Sequence, residues 1–346
     1  MNARSIKFIA AALVVGTIAT ACSSEAEPDE IVLLTHDSFA LSPGVLNAFT
    51  VETGVSVVHI TGGDAGTMIN QAVLTKDNPI ADVIFGVDNT FISRAVANNL
   101  FVPYLASAIE TVSEDQRLEE DWATPITFGD VCVNFHISGL EDRAVSPPGS
   151  LQSLVQPEYR DLLVVQDPAT SSPGLAFLAA TVSAYPEGSN YDWRDYWVDL
   201  FANGVSVASD WTEAYASQFS QSGGDRPLVV SYASSPPVEV LFGELTEAPT
   251  GVMTDGCFRQ IEYAGIVKGT DHEETAGKLV DFLLSKAVQE DIPLNMFVYP
   301  TNRTADLPDV FVRFTAFPDS PLIMDPDVID DNRERWIEEW TAIARS

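Results

Sequence analysis

Residues 55–73, VSVVHITGGDAGTMINQAV, carry the pattern from which the fold can be read. The first part is rich in β-branched residues, which favours a strand. Two glycines break the run and Asp64 stands where a helix cap is needed. Ala65, Met68, Ile69, Ala72 and Val73 then follow at the i, i+3, i+4, i+7, i+8 spacing of one helix face. A strand that turns into an amphipathic helix is the unit of an α/β domain. The unit recurs on either side: IVLLT (31–35) precedes a helix opened by Ser42-Pro43, bearing Val45, Leu46 and Phe49 and ended by Gly54. ADVIFGV (81–87) precedes a helix through Phe91, Ile92, Ala95 and Val96.

Further along, LLVV (162–165), VSVA (205–208) and LVVSY (228–232) lead into helix starts at Ser172-Pro173, Asp210-Trp-Thr-Glu213 and Ser235-Pro236. Ser172 reads as an N-cap and Pro173 as the first helical residue. CFRQIEYAGIV (257–267) is another strand, followed by a helix with Leu279, Phe282 and Leu283, and the chain closes on a helix with Trp336, Ile337, Trp340 and Ile343 on one stripe. No period of about 20 to 50 residues recurs, which excludes a repeat array. The expected fold is α/β with two lobes, each a mixed sheet flanked by helices. Lobe 1 takes residues 31–128 and 262–310, and lobe 2 takes 129–261. Hinge strands fall near 129–134 and 256–263, and the helical segment 311–346 is left unassigned to either lobe.

The N-terminus sets the compartment. Arg4 and Lys7 precede an apolar stretch from Phe8 to Ala21, too short for a comfortable membrane span and suited to a signal-peptide core. Ala19-Thr20-Ala21-Cys22 resembles a bacterial lipobox, so 1–21 reads as a lipoprotein signal peptide, Cys22 as the lipid-bearing residue and 22–30 as a polar tether. Ordinary secretion without lipidation is the alternative. Fifty acidic against 18 basic residues give a net charge of −32, which argues against nucleic acid as a partner and is compatible with a cationic ligand or a solvated acidic surface. With Cys22 assigned to lipid, Cys132 and Cys257 remain, and an oxidising compartment favours a disulfide between them over two buried thiols. Both fall at the expected hinge strands. His36, His59, His136 and His272 show no metal-ligand spacing, so no metal site is expected.

In open α/β sheets ligands lie beyond the carboxyl ends of strands. The polar and aromatic residues expected there are Asp37, Ser38, Asp64, Ala65, Asp88 and Asn89 from the first part of the chain. Thr170, Ser171, Ser172, Trp211, Tyr215, Tyr232, Ser234 and Ser235 come from the middle, and Phe297 and Tyr299 from the late loop NMFVYPTN (295–302). Each has a plain structural reading as a cap or packing residue. Together, flat rings, a carboxylate and hydroxyl-rich helix starts suit a flat, partly cationic molecule with one polar tail.

Seven segments in register resemble the thiamine-binding lipoprotein or periplasmic components of bacterial ABC importers, a group of type II solute-binding proteins. They are THDSFA (35–40), ADVIFGVDN (81–89), QDPATSSPGLAF (166–177), DWTEAY (210–215), LVVSYASSP (228–236), IPLNMFVYP (292–300) and RERWIEEW (333–340). The resemblance implies two lobes closing on thiamine or its phosphate esters, delivery to ABC permease subunits, no catalysis and no cofactor. It also implies an extracytoplasmic monomer held to the membrane only by its lipid. Asp64 matches an acidic ligand contact, Ser171 and Ser172 a hydroxyl cluster at the ligand's polar end, and Trp211 and Tyr232 cleft aromatics. Departures are Val238 in place of a Tyr, Phe297 in place of a Trp, His36 in place of a Tyr and Ala65 in place of a Gly. Apart from Arg333 and Arg335 in the final helix, no Lys or Arg stands among these motifs to pair with phosphate.

Other readings remain. A binding protein for a polyamine would use the same carboxylates and rings. A ferric-iron binder is disfavoured because Ser231-Tyr232-Ala233 lacks two consecutive tyrosines. A secreted hydrolase has no G-x-S-x-G, P-loop or H-E-x-x-H to support it.

Overall fold

The computed structural model describes residues 29–118 and 120–346; the expected signal peptide, Cys22 and nearly all of the expected tether lie outside them. Strands β1 (Glu30–Thr35), β2 (Ser56–Thr61), β3 (Val83–Asp88), β4 (Phe101–Val102) and β5 (Thr124–His136) come from the first part of the chain. β6 (Leu163–Gln166), β7 (Ser206–Ala208), β8 (Leu228–Tyr232), β9 (Thr250–Val267) and β10 (Tyr299–Pro300) complete a ten-stranded sheet. The order is β2-β1-β3-β9-β5-β8-β6-β7, with β4 added to β9 and β10 to β5.

The topology makes two α/β halves of this sheet. β1 pairs in parallel with β2 and β3, and β6 pairs in parallel with β7 and β8. Between these groups run β5 and β9, antiparallel to each other and to their outer neighbours. They are long, 13 and 18 residues, because each continues from one half into the other. The segments expected as hinges lie within them, with Gly129 opposite Gln260 and Val131 opposite Phe258. Next to that pairing Cys132 and Cys257 form a disulfide inside a small apolar cluster with Ala233 and Val252.

The two halves share packing away from the strand ends. The helix Ser172–Ala184 is apolar all round and buried from Ser172 to Val182, as a helix enclosed on every side must be. The last helix, Pro326–Ala344, lies against helix Ile92–Ala97 on one side and helix Trp193–Ala202 on the other. Its Trp340 ring meets Trp197 edge-on at 5.5 Å, and Arg333 donates to the Thr90 carbonyl at 3.3 Å. The segment left unassigned by sequence therefore touches both halves.

Three local expectations shift. The first helix begins at Val45, not Ser42, because Gly44 adopts a left-handed φ of 92° that no continuing helix contains. β9 begins at Thr250, not Cys257, since pairing with β5 extends it. Ser171, not Ser172, occupies the cap position of its helix, and makes no side-chain cap bond. Among the described residues, no helix is long and apolar enough to cross a membrane.

Candidate ligand-binding cleft

Beyond the carboxyl ends of the parallel strands the halves face each other across a cavity of about 350 Å³, at the small end of the range for organic-ligand sites. The first half contributes His36, Asp37, Asp64 and Ala65; the second contributes Ser172, Trp211, Tyr215, Tyr232 and Val238. Glu262 of β9 and the late loop with Phe297 complete the wall. Of the residues singled out from sequence, His36, Asp37, Ser38, Asp64, Ala65, Ser172, Trp211, Tyr215, Tyr232, Ser235 and Phe297 line this one cavity; Asp88, Asn89, Thr170 and Ser234 do not, and neither does Ser171. That residue is 0% exposed and its hydroxyl is buried without a partner, one position short of the wall. Tyr299, the other ring of the late loop, is also off the wall: it is buried against Phe128 at 5.1 Å.

Asp64 is placed by the helix it caps. Its Oδ1 accepts the Ala65 N–H at 2.7 Å and, across the cleft, the Ser172 N–H at 3.2 Å. Burial pushes its pKa up, opposed chiefly by the Ser172 N–H. His36 follows β1 directly and its ring lies over Gly86 of β3. A Cβ at Gly86, where φ is 96°, would sit 2.2 Å from the His36 ring. Only glycine tolerates both that conformation and that approach.

His36 Nε2 lies 3.3 Å from Glu262 Oε1. Burial alone would lower the histidine's pKa, but Glu262, with Asp64 and Asp37 farther off, outweighs it and raises it. For Glu262 the opposite holds: burial would raise its pKa, and the charge and contact of His36 with the Thr127 hydroxyl bring it below the ordinary value.

Below the wall, Gln260 joins the halves. Its amide nitrogen donates to Asp88 at the end of β3 and to the Ser172 hydroxyl at 2.5 Å, and its carbonyl oxygen accepts the Tyr232 hydroxyl at 2.8 Å. This bond, not helix capping, is what engages the Ser172 hydroxyl. Asp88 is fully enclosed and burial pushes its pKa up to about 6. Sequence reading missed Gln260 and Glu262. The signal was two polar residues at i, i+2 in the apolar strand CFRQIEYAGIV, which places both on one face.

The aromatic wall is held from behind. Trp211 stacks on Tyr215 at 4.9 Å and 16°, and its indole N–H donates to Ser231 at 3.0 Å. Tyr215 donates to Glu239 at 2.6 Å. Phe297 takes a left-handed φ of 58°, its carbonyl accepts the Ser234 hydroxyl at 2.6 Å, and its ring meets the exposed Phe242 edge-on at 5.7 Å. The cleft thus presents rings and carboxylates, with His36 as the sole basic side chain on its wall among the described residues.

Two α/β halves around a ligand-sized cleft, joined by the long strands β5 and β9, define a two-lobed solute-binding protein. The sequence agrees: residues 78–312 match the family of bacterial extracellular solute-binding proteins, and the chain belongs to that family. It is 28% identical over 314 residues to a thiamine-binding periplasmic protein of Salmonella typhimurium, covering 90% of this chain and 92% of that one. A solved periplasmic thiamin binding protein superposes with a TM-score of 0.81 at 27% identity, over 91% of this chain and 96% of the other. The iron-bound binding protein HitA of Pseudomonas aeruginosa shares the fold, at a TM-score of 0.74 and 19% identity over 91% and 99% of the two chains.

Proposed function

We propose that this protein captures thiamine in the cleft and hands it unchanged to the permease subunits of an ABC importer. The observation that carries this reading is the composition of the wall. The Trp211–Tyr215 stack offers an aromatic face on one side, while Asp64 and Glu262 offer carboxylates on the other. A flat aromatic cation meets both needs, gaining roughly 0.5–2 kcal/mol from a ring face and more as water is excluded. The names of the relatives at 28% and 27% identity support the same ligand. Tyr215 and Tyr232 already have Glu239 and Gln260 as partners, which disfavours their use as ligands of ferric iron.

The protein works by closing, not by catalysis, and needs no cofactor. β5 and β9 bend while the halves move together, bringing Asp64 and Trp211 onto opposite sides of the ligand. It acts as an extracytoplasmic monomer attached to the membrane through lipidated Cys22. Calorimetric titration of the leaderless protein with thiamine, spermidine and ferric citrate tests the assignment. Saturable binding of thiamine alone is expected; preference for spermidine or iron would replace it, and binding of none would overturn it.

A further inference from the structure

We infer that Phe242 is a ligand-covering residue: with Phe297 it forms an aromatic gate across the cleft mouth that sets how long the bound cation stays. The inference rests on the thiamine reading above and adds to it the residue that governs release. Single apolar side chains exposed on a surface are ordinary and ask for no explanation. Phe242 differs because it is 77% exposed and yet lines the cavity, and because its ring meets a second ring of the same wall.

The placement follows from the chain on either side. Helix Pro236–Phe242 is seated firmly: Pro236, Pro237 and Val240 are buried, and Glu239 accepts the Tyr215 hydroxyl at 2.6 Å, which ties the helix to the Trp211–Tyr215 stack. Val238 and Phe242 stand about one turn apart, so they project from the same face, and both line the cavity. Val238 carries only a short branched side chain, which leaves the longer reach to Phe242. Gly243 ends the helix and Glu244 takes a left-handed φ of 50°, so the chain turns away directly behind the phenyl ring. The ring thus stands at the tip of a fixed helix.

Phe297 comes from the other side. Its neighbours Met296 and Val298 pack into the core of the first half with Ile31 and Leu33, and its own carbonyl is held by the Ser234 hydroxyl. The two rings meet edge-on, with centroids 5.7 Å apart and planes at 71°, a geometry that aromatic pairs favour. Trp211, Tyr215 and Tyr232 are each fixed by a hydrogen bond through a polar atom, to Ser231, Glu239 and Gln260, whereas a phenyl ring has no such anchor and is free to part from its neighbour. A cation lying between Trp211 and Asp64 passes this pair on its way out. While the pair is closed it keeps water from the ligand, which strengthens the attraction of Asp64 and Glu262 for the positive charge.

Release of labelled thiamine into an excess of unlabelled thiamine, combined with equilibrium titration, tests the gate. Phe242→Ala is expected to speed dissociation about tenfold and to change the association rate far less, since affinity differences among variants of one site lie mostly in the off-rate. Its melting temperature should match wild type, because an exposed ring adds little to the core. Phe242→Tyr keeps the ring and should release thiamine at close to the wild-type rate. The double change Phe242→Ala with Phe297→Ala should release it little faster than the faster single variant, since loss of either ring opens the same gate. Unchanged dissociation for Phe242→Ala, release by Phe242→Tyr as fast as by the alanine variant, or effects of the two alanine changes that multiply would overturn the gate and leave the thiamine reading intact. Absence of thiamine binding by the wild-type protein would overturn both.

Discussion

The Asp64 carboxylate, on the first half of the molecule, accepts the backbone N–H of Ser172, on the second, at 3.2 Å. One side chain therefore caps its own helix, closes the start of the facing helix and places negative charge on the wall between them. Since burial raises its pKa, Asp64 is easier to protonate than an exposed aspartate. Thiamine affinity is expected to fall as pH is lowered through the region where Asp64 takes up its proton, measured by titration from neutral pH downward. Asp64→Asn should remove that pH dependence and weaken thiamine more than a neutral aminopyrimidine analogue. Equal losses for both ligands would reduce Asp64 to a cap.

Trp211 is the largest flat surface on the wall and is fixed from behind by Tyr215 and Ser231. Trp211→Ala is expected to weaken thiamine binding by about 2–4 kcal/mol, the magnitude of a buried aromatic anchor. Trp211→Phe should recover a substantial part. An unchanged dissociation constant for the alanine variant would assign the ring to packing.

The His36–Glu262 pair gives stability a pH window. His36 has a folded pKa above the ordinary 6.5, so its contribution is complete below 6.5 and is lost as pH rises through the higher value. Glu262 has a folded pKa below the ordinary 4.5, so its contribution is present above 4.5 and is lost as pH falls through the lower value. Urea unfolding of His36→Gln should show a loss of about 1–2 kcal/mol inside that window and a smaller difference on the alkaline side. A difference independent of pH would mean that the histidine serves only to fill space.

Arg259 of β9 holds Asp130 of β5 with two bonds, at 2.5 and 3.1 Å, and its guanidinium lies 5.0 Å from the Phe128 ring. The Asp130 side chain is 0% exposed, and burial pushes its pKa up against the arginine's opposing charge. Arg259→Leu strands that carboxylate and is expected to cost about 3–5 kcal/mol in chemical unfolding. The double change Arg259→Leu with Asp130→Asn should cost clearly less. Equal costs would show that the charge is relieved by other means.

The Cys132–Cys257 bond links positions 125 residues apart on β5 and β9. Replacing both with serine is expected to lower stability by about 2–5 kcal/mol while leaving thiamine affinity close to wild type, because the bond sits in a separate apolar cluster off the cleft wall. Loss of affinity in a folded variant would mean that the bond also sets the geometry of closure.

Much of this was legible in the chain. The Asp64 helix and the strand LVVSY follow from periodicity and caps, which are local. Strand ends also placed Trp211, Tyr215 and Tyr232 correctly on one cavity, since topology puts all carboxyl ends of parallel strands on one side. What was not legible depends on tertiary partners. Ser172 looks like a cap, yet its hydroxyl is taken by Gln260, 88 residues away. Tyr299 looks like its neighbour Phe297, yet pairing of β10 with β5 turns it into the core. Glu262 sits in an apolar strand, and its role appears only when His36 is brought beside it.

The most direct test of the central claim is a crystal structure of the leaderless protein with thiamine. The account expects the ligand between the halves, one ring stacked within about 4.5–7 Å of Trp211 and its positive charge facing Asp64 and Glu262. Thiamine bound elsewhere on the surface, or within the cleft but turned with its charge away from both carboxylates, would contradict it.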